Sequence, residues 1–172
     1  WLHFIDGGQL SRVRVEGGAF QKINNEILVA RSGFTSFGGT IIFTNANDGQ
    51  LYSLPVSGGQ PEPVTVDSGG DKTRYTWPRV LPSNEYLLIT ASLNSASVGI
   101  GNIELLNLDT GEHEVLIRTA SNATYLESGH IIFVRDSSIW AVPFDLENLS
   151  ITGAEVPVIQ GLETNSQYGH AA

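Results

Sequence analysis

Hydrophobic and polar positions along this chain recur in the same order four times. The motif begins at Leu10, Leu51, Ile103 and Ile139. Its third following position holds Val13, Leu54, Leu106 and Val142, and its fifth holds Val15, Val56, Leu108 and Phe144. A short apolar segment precedes each copy, at residues 2–5, 41–43, 86–89 and 131–134. Short apolar runs and alternating segments bounded by turn residues indicate β-strands. The pattern predicts a β-hairpin unit that is repeated four times along the chain.

The spacing between the copies narrows the choice of fold class. Successive copies begin 41, 52 and 36 residues apart. No stretch shows the i, i+3, i+4, i+7 arrangement of apolar residues that an amphipathic helix requires. A repeat of this length built only of strands is typical of a β-propeller. We therefore predict an all-β fold, a partial or multi-chain β-propeller of about four four-stranded antiparallel blades.

The predicted strands divide residues 1–172 into the blades of a single propeller region. The first blade, residues 1–23, is incomplete, with strands at 1–5, 9–15 and 19–23 but no first strand. The second covers 33–66, with strands at 33–37, 40–45, 50–56 and 62–66. The third covers 75–117, with strands at 75–81, 86–92, 102–108 and 113–117. The fourth covers 123–159, with strands at 123–127, 130–135, 138–144 and 155–159.

The first predicted blade lacks its first strand, so the boundaries of the chain and of the blades differ by one strand. This difference leaves one blade edge unpaired. Proteins rarely leave such an edge bare. Residues 167–172 stand where the next first strand should begin. Three alternatives follow: this tail closes the ring on the first blade, another chain pairs there, or the rest of the propeller is missing. We accordingly expect a closing strand at 167–172 or a homo-oligomer formed through open blade edges.

Composition excludes several classes of function. The chain has 172 residues and a net charge of −9, with only nine Lys and Arg. Phosphate binding needs a concentrated basic face, so we expect no nucleic acid partner. No cysteine is present, which excludes disulfides and thiolate chemistry. No apolar run approaches the ~20 residues of a membrane span, so we expect no membrane insertion. The abrupt start at Trp1, without Met, leads us to expect a fragment or processed piece.

Several segments together resemble the TolB-like, WD-repeat-like β-propellers found C-terminal to bacterial serine/threonine kinase domains. They are residues 49–65 (GQLYSLPVSGGQPEPVT), 74–82 (RYTWPRVLP), 121–125 (SNATY), 129–135 (GHIIFVR), 140–145 (WAVPFD) and 149–158 (LSITGAEVPV). The resemblance implies a bacterial source, in the periplasm or the cytoplasm. It also implies a six-bladed, non-catalytic propeller used for interaction or sensing. Here Ser83-Asn84-Glu85 replaces the family's usual Pro-Asp-Gly turn, and no kinase element is present.

The sequence contains no motif that is typical of a catalytic, metal-binding or cofactor-binding site. The four histidines, His3, His113, His130 and His170, show no metal-ligand spacing. Loop aspartates such as Asp48 and Asp109 belong to ordinary hairpin turns rather than to a calcium loop. No Gly-x-Ser-x-Gly elbow occurs. We predict no catalytic residue, no metal and no cofactor.

Four residues are candidate ligand contacts: Arg74, Trp77, Arg79 and Tyr125. Trp77, Arg79 and Tyr125 lie on predicted first strands, which line the axial channel of a propeller, and Arg74 directly precedes one of them. A guanidinium there can bind an anion, and an aromatic ring can stack on a ligand. The alternative is that Trp77 fills a blade interface and that the arginines are solvated or ion-paired. The small-residue loop at 92–101 is a further candidate for binding.

We predict a non-catalytic interaction or sensing module that binds a protein, a peptide or a small ligand through loops at the axial channel. Two alternatives remain. One is a metal-dependent propeller hydrolase or lactonase, which needs carboxylate, Asn or His side chains converging near the axis. The other is a structural fragment of a larger six-bladed propeller.

Overall fold

The computed structural model describes residues 1–24, 28–64, 66, 73–93, 101–162, 164–165 and 170–171. The side chains of residues 30–32, 164–165 and 170–171 are not among the described parts. The described residues form seventeen β-strands and no helix, so none of them belongs to an apolar helix of membrane-spanning length. The all-β prediction is confirmed.

The first two blades are separate antiparallel sheets. The first blade contains β1 (Leu2–Asp6), β2 (Gln9–Val13) and β3 (Gln21–Lys22). The second contains β4 (Val29–Phe37), β5 (Thr40–Asn45), β6 (Leu51–Pro55) and β7 (Glu62–Pro63), paired in that order. In the second blade, the two-residue turn Gly38-Gly39 has φ angles of 53° and 82°. Glycine adopts these left-handed angles without a steric penalty, so the hairpin closes tightly.

The third and fourth blades are joined into one continuous sheet. Its strands in chain order are β8 (Arg74–Val80), β9 (Tyr86–Ser92), β10 (Gly101–Asn107), β11 (His113–Leu126), β12 (His130–Arg135), β13 (Ser138–Asp145), β14 (Ser150–Ile151) and β15 (Val156–Gln160). Both β14 and β15 pair with β13.

The single strand β11 belongs to both the third and the fourth blade. The sequence had predicted two separate strands here, at 113–117 and 123–127. The first half of β11 pairs with β10, and its second half pairs with β12. The chain bends between the halves at Thr119 and Asn122, whose φ angles are both 52°. No glycine or proline stands in this stretch. Left-handed residues therefore turn the strand from one blade to the next without breaking it.

The repeat read from the sequence coincides with the hairpin register. In every blade the first motif residue pairs across the hairpin with an equivalent residue of the preceding strand. The cross-strand pairs are Ile5↔Leu10, Thr44↔Leu51, Thr90↔Ile103 and Val134↔Ile139. Because side chains alternate between the two faces of a strand, a shared register assigns each motif position to a fixed face of its blade. The four hairpins are structural equivalents.

The core consists of three apolar clusters, one between each pair of successive blades. The first motif position packs against the following blade: Leu10 contributes to the first cluster, Leu51 to the second and Ile103 to the third. The third following position packs against the preceding blade, as Leu54, Leu106 and Val142 show. The motif thus describes both sides of each blade interface.

The C-terminal segment does not pair with the first blade at the residues that are described. Two short strands, β16 (Thr164–Asn165) and β17 (His170–Ala171), pair with each other. The remainder of the predicted closing segment 167–172 lies outside the described residues. The first blade shows three strands, β1 to β3, among the described residues.

Candidate functional site

The first strands of three blades carry the same irregularity. Between β4 and β5, between β8 and β9, and between β11 and β12, the register shifts. The shifts place Gly33, Trp77 and Asn122 at equivalent positions, with φ angles of 85°, 55° and 52°. Such bulges twist a strand and redirect the side chains beside them. Since first strands line the central channel of a propeller, the bulges shape the axial side of this molecule.

Trp77 and Arg79 lie together at this position, against the neighbouring blade. A methyl group added to Gly33 would lie 3.7 Å from the Trp77 ring and 3.7 Å from Arg79 Nη1. The two side chains on β8 therefore cover the bulge of β4. Trp77 is 8% exposed and belongs to the core, which agrees with the blade-interface alternative for this residue. Glycine at 33 allows both the left-handed backbone and this close approach.

Arg79 is a half-buried cation held by backbone oxygens. Its Nη1 donates hydrogen bonds to the carbonyl of Phe34 at 3.3 Å and to the carbonyl of Pro78 at 3.0 Å. Burial lowers the pKa of Arg79. No carboxylate in the described part of the chain forms an ion pair with it. The guanidinium thus retains donors on Nε and Nη2 that can serve an acceptor from outside.

Arg74 contacts a different feature, the β5–β6 turn. A methyl group at Gly49 would lie 2.6 Å from Arg74 Cζ, so the guanidinium rests directly on this glycine. Arg74 Nη2 also lies 3.5 Å from the carbonyl oxygen of Ala46, and the backbone N–H of Tyr75 donates to the carbonyl of Gly49 at 2.8 Å. Arg74 fastens the start of β8 to the second blade.

Tyr125 packs inside the fourth blade. Its ring meets the ring of Phe144 edge to face, with centroids 6.1 Å apart, and both belong to the cluster between the third and fourth blades. Of the four candidate residues, the structure therefore brings Trp77 and Arg79 together and places Arg74 and Tyr125 elsewhere. A ligand-binding role for any of them stays a prediction. The candidate loop at 92–101 falls mostly on residues 94–100, outside the described chain.

Two ion pairs were not predicted from the sequence. His113 Nδ1 lies 2.7 Å from Glu104 Oε2. Burial raises the pKa of Glu104, and His113 acts in the opposite direction. Arg135 forms an ion pair with Glu155 and donates to the carbonyls of Arg118 and Thr119 at 2.9 and 3.1 Å. Glu104 and His113 lie on adjacent strands, whereas Arg135 lies on β12 and Glu155 directly precedes β15. A linear pattern does not show which of these segments are neighbours.

Two further features of the described residues bear on the chemistry that is available, the grouping of possible metal ligands and one open groove. Within the described ranges, no group of three or more His, Asp or Glu side chains is placed to hold a metal ion. A groove of about 450 Å³ runs between the second blade and the β10–β11 turn. Its lining contains Phe37, Ile42, Val64 and Asp109, without a nucleophile–base pair.

Three solved structures have the same fold. A luciferin-regenerating enzyme has a TM-score of 0.67 at 13% identity, covering 92% of this chain and 56% of that chain. TolB from Acinetobacter baumannii has a TM-score of 0.68 at 12% identity, covering 92% and 40%. A puromycin-hydrolyzing peptidase from Mycobacterium tuberculosis has a TM-score of 0.56 at 12% identity, covering 90% and 31%.

No family model and no curated protein matches the chain. The chain spans about half or less of the length of these three structural neighbours. At such low identity the similarity establishes the fold alone. The predicted resemblance to TolB-like propellers is supported in this respect, whereas the kinase-associated context stays a prediction. The chain has a β-propeller fold of the kind seen in TolB.

Proposed function

We propose that this chain is a non-catalytic interaction module that binds an acidic peptide segment of a partner protein at the axial side of its blades. Arg79 is the residue that contacts the acidic group, and Trp77 forms the apolar wall beside it. The observation that carries the proposal is the half-buried guanidinium of Arg79, which donates to two backbone carbonyls from one nitrogen.

The electrostatic argument rests on the surroundings of Arg79. Burial lowers its pKa because the charged form loses hydration, and the described residues offer it no carboxylate partner. An incoming carboxylate would supply the missing counter-charge. Charge-assisted hydrogen bonds of a guanidinium to a carboxylate are stronger than neutral ones and have a fixed geometry. The overall negative charge of −9 disfavours non-specific acidic partners, so binding depends on this local site.

NMR titration tests the proposal. A short Glu-rich peptide serves as the probe, and the matching Gln-rich peptide as its neutral counterpart. We expect the Nε–H signal of Arg79 and the indole N–H signal of Trp77 to shift with the acidic peptide only. Arg79→Gln should weaken binding about tenfold or more, the loss expected for one charge-assisted contact.

Arg14 provides the matched control. Its guanidinium lies 5.4 Å from the centroid of the Trp1 ring, so it forms a second Arg–Trp pair, but it is exposed on the first blade. Arg14→Gln should leave the affinity for the acidic peptide unchanged. Equal losses for Arg14→Gln and Arg79→Gln would show general charge attraction and refute a specific site.

The enzymatic alternative, a metal-dependent hydrolase or lactonase, makes a different prediction. It requires a bound metal ion, which the purified protein would contain in stoichiometric amount. Elemental analysis distinguishes the two functions without a substrate. Stoichiometric calcium or zinc would favour the enzyme over the interaction module.

A further inference from the structure

The groove between the second and third blades is larger than the equivalent groove between the third and fourth blades. The first has a volume of about 450 Å³ and lies between the second blade and the β10–β11 turn. The second has a volume of about 260 Å³ and lies between the third blade and the β13–β14 turn. We call them the wide groove and the narrow groove. The wide groove is lined by Thr40, Ser53 and Gly111 among others, and the narrow groove by Tyr86, Leu105 and Leu149 among others.

Two positions on the strands contribute to the difference in width. Thr40 is the equivalent of Tyr86, because each begins the second strand of its blade. Ser53 is the equivalent of Leu105, because each lies two residues after the first motif residue. The two hairpins share one register, so these side chains occupy matching places. In both cases the wide groove has the smaller side chain.

The turns that form the opposite walls are also equivalent. In each turn one Asn or Asp side chain accepts hydrogen bonds from the backbone N–H groups two and three residues further on. This alignment makes Gly111 the equivalent of Leu149, and both have left-handed φ angles, 76° and 53°. It also makes Asp109 the equivalent of Glu147. Glycine in place of leucine removes a side chain from the wall of the wide groove.

The floor of the wide groove carries an apolar surface that the third blade leaves partly open. Phe37 pairs with Thr40, and Ile42 pairs with Ser53. Residues directly opposite each other share a face of the sheet, and Ile42 belongs to the cluster between the second and third blades. Phe37 packs against the same cluster but is only half-buried. A concave site with an apolar floor suits an apolar side chain of a ligand.

The charged groups at the wide groove are carboxylates. Asp109 lies on its wall, and Glu62 lines an adjoining cavity that shares Thr40 and Ser53 with it. Both carboxylates belong to exposed residues, and neither forms an ion pair within the described part of the chain. Among the described residues, no Lys or Arg lines either cavity. The local field therefore attracts a cation and repels an anion.

We propose that the wide groove binds a segment of a partner protein in which an apolar side chain stands next to a Lys or Arg. The apolar side chain enters the volume that larger residues take up in the narrow groove, and the cation pairs with Asp109. A second copy of this chain is a poorer occupant, since the chain has a net charge of −9. The ligand is opposite in charge to the one proposed for Arg79, so the two sites can be tested separately.

Peptide binding measured by fluorescence anisotropy tests the proposal. The probe is a short labelled peptide with a central leucine flanked by lysines. One counterpart has serine in place of the leucine, and another has glutamates in place of the lysines. We expect the probe to bind, the serine peptide to bind more weakly and the glutamate peptide not to bind. Added salt should weaken binding of the probe. In NMR spectra, the probe should shift the backbone N–H signals of Thr40, Ser53 and Gly111.

Two variants address the two parts of the site. Ser53→Leu installs the residue that the third blade has at the equivalent position, so the fold should tolerate it, and circular dichroism checks this. It should weaken probe binding about tenfold or more, because the leucine of the probe loses its place on the apolar floor. Asp109→Asn should weaken binding about two- to fivefold, the effect of losing one exposed ion pair.

The matched control is Glu147→Gln, which neutralises the same turn position beside the narrow groove. It should leave the affinity for the probe unchanged, and so should Arg79→Gln, whatever the outcome at the acidic-peptide site. A folded Ser53→Leu variant with full affinity would overturn the proposal. So would equal losses for Asp109→Asn and Glu147→Gln, or a probe that does not bind. If Ser53→Leu fails to fold, Asp109→Asn and the NMR shifts decide.

Discussion

Glu104 is a charged residue at a buried position of β10, where the alternating pattern of the strand would place an apolar side chain. It lies on β10, on the same face as Leu106, and that face packs against the second blade. The residue is 7% exposed, and its carboxylate is paired with His113. Buried carboxylates are costly unless a partner or a proton neutralises them. The imidazole of His113 provides that partner at the rim of the apolar cluster.

The pH dependence of folding stability should reflect this burial. Because the pKa of Glu104 is raised in the folded protein, the folded state holds its proton more tightly than the unfolded state. The contribution of Glu104 to the unfolding free energy therefore falls as pH rises above the ordinary range of a glutamate. Glu104→Gln should remove this decline, so the variant gains stability relative to the unaltered protein between acidic and neutral pH.

Urea unfolding over a pH series measures the difference between the two proteins. Glu112→Gln, at an exposed position of the same β10–β11 region, should follow the unaltered protein. Parallel pH profiles for Glu104→Gln and the unaltered protein would contradict the assignment of this dependence to Glu104.

At the level of single elements, β11 and Arg135 join the third and fourth blades. The strand passes through both sheets, and the side chain of Arg135 reaches from β12 to two of its carbonyls and to Glu155. Arg135 also lies over the rings of Phe133 and Trp140, at 5.0 and 5.7 Å from their centroids. One side chain thus holds the bend of β11 against its neighbouring strand.

Loss of this side chain should destabilise the protein. Arg135→Ala should lower the unfolding free energy by about 2–3 kcal/mol, because two carbonyls and a carboxylate lose a charged donor. Arg135→Lys should recover only part of that loss, since an ammonium group cannot reproduce the planar fork. Denaturant unfolding gives both values. The exposed Arg14→Ala should change stability by less than about 0.5 kcal/mol, and a comparable loss there would argue against a specific role for Arg135.

Element boundaries show where sequence reasoning succeeds. The strands at 40–45, 86–92 and 130–135 were predicted with their observed bounds, because a turn with glycine, asparagine or serine follows or precedes each. The single strand β11 was missed, since its bend depends on left-handed angles at Thr119 and Asn122. Threonine rarely adopts such an angle, and only the packing of two adjacent blades imposes it.

At the scale of the whole molecule, the fold is a series of blades joined by equivalent interfaces. The repeat predicted this series because each motif position has a constant face. It assigned Trp77 and Arg79 to one predicted first strand. It did not predict their contact with Gly33 or the pairing of Glu104 with His113, since both depend on distances across the sheets.

Stability should vary along the series. The first blade has one packed face, three described strands and an exposed apolar surface, whereas the third blade is packed on both faces. Local opening is cheapest where few apolar contacts are lost. Amide hydrogen exchange followed by mass spectrometry should show faster exchange in β1–β3 than in β9 and β10. Equal protection of the two regions would contradict a graded series.

The continuity of β11 determines how the protein can be dissected. Elsewhere successive blades share no strand, although single backbone hydrogen bonds join them, such as the one from Val29 N–H to the carbonyl of Gly8 at 2.8 Å. An incision between β3 and β4 therefore separates units that share no sheet. An incision inside β11 would sever hydrogen bonds in two sheets at once. Fragments expressed separately should therefore complement each other when divided before β4, and the segment from β8 to β15 has to stay in one piece if the third and fourth blades are to keep their backbone pairing.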